Sequence, residues 1–155
     1  MRWVMPSGDR LDKTIAQDDE DRMRMLEIIK TERFADSPRL QISDFELKLP
    51  RPTKTSSTVP ALAKRFPNAD FWFALGRDSY LSMPDWPDGH ELQKNLRMVI
   101  FYSGLGAIIT AGNVTTADLG TEYSDISSTK VRQALAAGQS LEDLVSEPIA
   151  NYLTR

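Results

Sequence analysis

The 155-residue chain has no cysteine and a single histidine, His90. Without thiols there is no disulfide scaffold, thiolate zinc site, iron–sulfur cluster or cysteine nucleophile. One histidine excludes any site built from two of them, and it leaves a Ser-His-Asp arrangement one candidate base. No apolar run approaches the roughly 20 residues that span a bilayer. The opening residues, Met1-Arg2-Trp3-Val4-Met5-Pro6, carry no signal-peptide core. An excess of one charge is lacking as well. Lys+Arg number 19 against 22 Asp+Glu, a net charge of -3. That argues against a general binder of nucleic acid or membrane surfaces, while a local basic pocket for a small anion stays open. A cytoplasmic protein of one domain, residues 1–155, is expected.

What is present reads as alternating strands and helices. Trp3-Val4-Met5 is a strand, broken by Pro6-Ser7-Gly8-Asp9. The acidic cluster Asp18-Asp19-Glu20-Asp21 suits a helix start, and Met25, Ile28 and Ile29 keep helical spacing to about Arg33. Gln41–Leu49 alternates as a strand or strand pair. Thr55-Ser56-Ser57-Thr58 offers N-caps for a helix carrying Val59, Leu62, Ala63 and Phe66. Phe71–Leu75 is a continuous apolar run, as in a strand buried on both faces of a parallel sheet. Asp85–Leu96 holds a turn and a short helix, Met98–Tyr102 a second apolar strand, and Gly104–Ile109 a further candidate. Ile126-Ser127-Ser128-Thr129 leads into a helix closed by Gly138, Ser140–Asp143 looks like a capped short helix, and Pro148 starts a last one. The pattern predicts an α/β fold with a parallel sheet.

In such sheets ligands sit outside the carboxyl ends of the strands. Three polar groups qualify: Pro6–Asp9, Gly76-Arg77-Asp78-Ser79 and Ile126–Thr129. Ser127, Ser128 and Thr129 bring hydroxyls and free N–H groups to a helix N-terminus, where the dipole favours an anion. Arg132, one turn on, has a planar fork suited to phosphate. The plainer alternative is N-capping with a surface arginine. Gly76 allows close approach of a ligand, and Asp78 could accept from a ribose hydroxyl or base amine; a tight turn with an Asx cap is the alternative. Trp86 is a core plug or a stacking face. His90 reads as a surface or cap residue, and Thr55 and Thr58 taken alone as capping residues.

Together these segments resemble the nicotinate-nucleotide adenylyltransferases of the nucleotidyltransferase superfamily, nearly end to end. Trp3–Gly8 resembles the second strand and its proline-containing loop, Lys13 a loop lysine, and Arg22-Met23-Arg24-Met25-Leu26 the helix that follows. Ser43-Asp44-Phe45-Glu46 matches the segment before the substrate loop. Thr53-Lys54-Thr55-Ser56-Ser57-Thr58 resembles Ser-Tyr-Thr-x-Asp-Thr, with Lys54 for the tyrosine and Ser57 for the aspartate. Phe73–Ser79 is similar to the strand ending in Gly-x-Asp-Ser, Trp86 to the tryptophan after it, and Ile126–Arg132 to Ile-Ser-Ser-Thr-x-x-Arg.

The resemblance implies a Rossmann-like, doubly wound parallel sheet. It implies that Ser127, Ser128, Thr129 and Arg132 hold ATP phosphates and that Gly76 and Asp78 line the nucleotide pocket. Thr55, Trp86 and Lys13 would hold nicotinate mononucleotide, with Trp86 stacking on its ring. Mg2+ would ride on the ATP phosphates, with no metal cage and no covalent nucleophile from the protein. The family begins with a strand–loop–helix unit bearing His-x-Gly-His, which this sequence lacks. The expectation is a domain without that first unit, its sheet missing a central strand, and with little turnover by itself. An in-frame upstream reading should supply the unit. Tyr102-Ser103-Gly104 also departs from the family's usual arginine, proline and glycine. Alternative expectations are a non-catalytic nucleotide-binding remnant, a related nucleotidyltransferase with another phosphate-bearing substrate, and a structural or interaction module, a homo-oligomer pairing its exposed central strands.

Overall fold

In the computed structural model, which describes residues 1–8, 17–102, 112–118, 120 and 126–155, all strand pairs are parallel. The chain divides into two compact units, Met1–Thr53 with Ile126–Arg155, and Lys54–Asp125. No helix among the described residues is long and apolar enough to cross a membrane.

In the first unit, β1 (Arg2–Val4) pairs with β2 (Leu40–Ile42), Trp3 opposite Gln41. Helix α1 (Asp19–Arg33) starts where the acidic cluster favours it: Asp18 is the N-cap and its carboxylate accepts from the Asp21 N–H at 2.8 Å. Lys30 and Arg33 complement the dipole at the other end. The expected strand over Gln41–Leu49 is shorter. After β2 the Ser43 hydroxyl accepts from the Phe45 N–H, which turns the chain, and Glu46–Lys48 forms a 3-10 turn. Helices α5 (Ser128–Ala136) and α6 (Glu147–Leu153) complete the unit, and Gly138, at φ 63, ends α5 as its position suggests. Ser140–Asp143 is a turn, not a helix. The Ser140 hydroxyl accepts from the Glu142 N–H as a cap would, but the Leu141 carbonyl takes the N–H groups of Leu144 and Val145 and the turn goes no further.

In the second unit, α2 (Thr55–Arg65) precedes β3 (Trp72–Gly76), β4 (Arg97–Tyr102) and β5 (Val114–Asp118), ordered β3-β4-β5. Between β3 and β4 lie α3 (Arg77–Ser82), a 3-10 turn (Met83–Asp85) and α4 (Gly89–Asn95). Register puts Phe73, Met98 and Val114 side by side, and Leu75 next to Ile100. Leu75, Met98, Ile100 and Val114 close on Met83 and Leu92 as one core cluster. Each such side chain is worth roughly 1.5–3 kcal/mol of burial. The opposite face of β3 is not buried as expected: Trp72 is 50% exposed and Ala74 is exposed. Arg97, which also pairs with Asp70, covers the Trp72 ring from 5.8 Å in place of a packed helix. Strand β5 has no counterpart in the sequence reading, and the Gly104–Ile109 candidate lies outside the described residues. Asn113 caps the end of α4, its side-chain amide donating to the carbonyls of Gln93 at 3.1 Å, Lys94 at 3.2 Å and Leu96.

Candidate functional site

The start of α5 is built as its hydroxyl-rich sequence suggests. Ser127 is the N-cap in extended conformation, and its Oγ accepts from the Lys130 N–H at 3.3 Å. Capping therefore occupies one lone pair of Ser127 and none of the hydroxyls of Ser128 and Thr129. All three residues are exposed, as is Arg132. Arg132 folds back along the helix, its Nη2 donating to the Thr129 Oγ1 at 3.5 Å. Hydroxyls, first-turn N–H groups and a guanidinium thus share one exposed helix end, a donor set that matches phosphate oxygens. Capping and anion binding are compatible here rather than alternatives.

The other candidates lie in the second unit. Gly76 ends β3 and is the N-cap of α3. A Cβ built on it meets nothing within 4 Å, so the space beside it is open. Asp78 sits exposed in the first turn of α3. Thr55 is the first residue of α2 and half-buried. The N-cap of α2 is Lys54, outside the run Thr55–Thr58 proposed for it. Ser57 does the capping from inside the helix: its Oγ accepts from the Lys54 N–H at 3.3 Å and donates to the Lys54 carbonyl at 2.9 Å. Thr58 is buried, with its Oγ1 lacking a partner among the described residues. Trp86 is half-buried and packs against the core cluster. His90 is exposed on α4, a surface residue as read from the sequence. Lys13 and Asp9 lie outside the described residues. The candidates therefore fall into two sets, Ser127, Ser128, Thr129 and Arg132 in the first unit, and Thr55, Gly76, Asp78 and Trp86 in the second.

Sequence reasoning missed a set of polar ties around the loop after β1. Glu46 Oε1 accepts from the Gly8 N–H at 3.1 Å and from the Thr53 hydroxyl at 3.0 Å. Arg22, only 14% exposed, donates to the Ser7 carbonyl and pairs with Asp19, which also pairs with Arg51. The Arg22 hydrogen bond, aided by Arg51 and opposed by desolvation, holds the Asp19 carboxyl below the usual carboxylate value. No group of three or more His, Cys, Asp or Glu among the described residues is placed to hold a metal ion.

Comparison with known proteins gives a consistent picture. The model of the cytidylyltransferase-like family matches residues 3–134. A protein of Exiguobacterium sibiricum named probable nicotinate-nucleotide adenylyltransferase is 29% identical over 132 residues, 84% of this chain and 68% of its own. A protein of the same name from Symbiobacterium thermophilum is 32% identical, over 77% of this chain and 62% of its own. The matches thus span about two thirds of these relatives' length. Among solved structures, a Plasmodium falciparum nicotinic acid mononucleotide adenylyltransferase complexed with NaAD superposes with a TM-score of 0.81. It is 19% identical, with 97% of this chain and 78% of that one covered, which establishes the Rossmann-like α/β fold.

Proposed function

The chain belongs to the cytidylyltransferase-like family, and from that footing we propose that it transfers the adenylyl group of ATP to nicotinate mononucleotide in NAD biosynthesis. A 5′-phosphate oxygen of the mononucleotide attacks the α-phosphorus of ATP. The bond from that phosphorus to the β-phosphate bridging oxygen breaks, and deamido-NAD and pyrophosphate form. Such a reaction depends on holding the two substrates in line and offsetting charge, not on a protein nucleophile. ATP is read as the magnesium complex, a substrate whose ion is carried on its own phosphates. The names of the sequence relatives support the choice of substrates.

The observation that carries the reading is the exposed start of α5, where Ser128 and Thr129 stand in the first turn and the guanidinium of Arg132 reaches back to the Thr129 hydroxyl. In this reading Ser127, Ser128, Thr129 and Arg132 bind the ATP phosphates, and Gly76 and Asp78 line the nucleotide pocket. Thr55, Lys13 and Trp86 hold the mononucleotide, with Trp86 stacking on its ring. Residues 1–155 form one nucleotidyltransferase-like domain of a cytoplasmic protein.

Calorimetry with MgATP and a pyrophosphate-release assay with nicotinate mononucleotide test this. Binding of ATP is expected, and Arg132→Ala should weaken it roughly ten- to a hundredfold, the scale of a lost charged hydrogen bond. Nicotinate mononucleotide should outcompete its nicotinamide analogue. ATP binding with no dinucleotide formed would leave a nucleotide-binding domain without the chemistry. Absence of ATP binding, with Arg132→Ala changing nothing, would remove the reading.

A further inference from the structure

The loop after β1 and the segment that enters α2 are joined by one carboxylate. Gly8 and Thr53 both donate to Glu46 Oε1, at 3.1 and 3.0 Å. Gly8 and Thr53 are both buried, Thr53 to 4%. They are also in direct contact: a Cβ on Gly8 would stand 2.6 Å from the Thr53 side chain. The same loop is held again one residue earlier, where Arg22 donates to the Ser7 carbonyl. Thr53 stands two residues ahead of Thr55, the first residue of α2. The loop itself leaves the carboxyl end of a parallel strand, the end at which ligands bind in such sheets.

We propose that Glu46 is a positioning residue for the mononucleotide: by holding Gly8 against Thr53 it fixes the backbone that presents Thr55 to the substrate. Glu46 touches no substrate. It acts through the two donors it accepts from, and a carboxamide oxygen, with two lone pairs, can accept both, though less strongly than a carboxylate. Burial gives the clasp its weight, because each donor loses its partner away from water when Glu46 is truncated. The inference rests on the reading of Thr55 as a mononucleotide contact, and it leaves the α5 phosphate site out.

The test compares two ligands on one protein. For the full chain, Glu46→Ala should raise the dissociation constant of nicotinate mononucleotide about tenfold while that of MgATP stays within about twofold. Glu46→Gln should restore most of the affinity, and amide exchange at Gly8 should speed up more in the alanine variant than in the glutamine one. Thr53→Val, which removes one donor at nearly constant volume, guards against a general folding defect and should give a smaller loss, about threefold. Equal mononucleotide affinity in wild type, Glu46→Ala and Thr53→Val would overturn the inference alone. Parallel loss of both ligands in the alanine variant, not rescued by glutamine, would overturn it too. A wild-type chain that binds neither ligand would overturn the proposed function and this inference with it.

Discussion

In Lys54–Asp125, six apolar side chains from β3, β4, β5, α4 and the turn between them close on one another, and Met83 and Met98 have no exposed surface. In Met1–Thr53 with Ile126–Arg155, the buried apolar side chains among the described residues are Ala134, Leu141 and Ile149, and the 15-residue α1 buries none of its own. Its Met23, Met25, Leu26 and Ile28 are only half-buried, and polar ties add to them. Arg22 reaches the Ser7 carbonyl, the Tyr152 hydroxyl donates to Asp21 at 2.6 Å, and the Ser146 hydroxyl donates to Glu32 at 2.6 Å. Each unit should therefore be vulnerable to a different perturbation. Dispersion and burial do not respond to pH, whereas carboxylate ties do.

The largest effect should come from the apolar unit. Met98→Ala empties a fully buried position at the centre of the β3–β4–β5 sheet. A loss of about 3 kcal/mol is expected from transfer and cavity terms together, read as a shift of the urea midpoint at unchanged slope. A loss below about 1 kcal/mol would mean the cluster relaxes around the gap, and the contrast between the units would weaken.

Next is Arg22→Ala in the polar unit. It strips the Ser7 carbonyl and Asp19 of a mostly buried partner, and it should cost about 1–2 kcal/mol. Arg22→Met, which fills the same space without charge, separates the two contributions of the side chain, stem packing and hydrogen bonding. If the methionine variant is as stable as the wild type, packing by the stem holds α1, and the polar description of this unit fails.

Much of this architecture could be read beforehand, and the gaps have physical causes. Helix α1 was legible because its acidic first turn agrees with the helical spacing of Met25, Ile28 and Ile29. Strand β4 was legible because Met98–Tyr102 is apolar throughout. Strand β5 was not, because Val-Thr-Thr-Ala-Asp carries its strand preference in threonines that look like loop residues. Trp72 misled in the other direction: an apolar run predicts two-faced burial, and the Arg97 that covers the ring arrives from 25 positions on, numbers 72 and 97. The start of α5 was legible because Ser127-Ser128-Thr129 offers N-cap hydroxyls just ahead of a helical run. The Glu46 clasp was not, since its contact with Gly8 spans 38 residues and nothing local marks either partner.

The smallest effect is also the most selective. Asp19 is one-third exposed and paired with both Arg22 and Arg51, and these pairs lower its pKa from the ordinary 3.8. A carboxyl with a lowered folded pKa contributes stability that is fully present above its unfolded value and is lost as the pH falls through the folded one. The tie is therefore intact at pH 5 and weakens below about 3.8, in the unit that holds α1. Native-state hydrogen exchange between pH 5 and 2.5, corrected for intrinsic rates, should show α1 amides losing protection before those of β4. Arg51→Ala should cost only about 0.5 kcal/mol at pH 7, as expected of a partly exposed pair. It should also narrow the drop in α1 protection on acidification, because less of the Asp19 shift remains to be lost. If β4 and α1 lose protection together at every pH, the two units share one cooperative transition, and the acid sensitivity belongs to the whole chain rather than to its polar half.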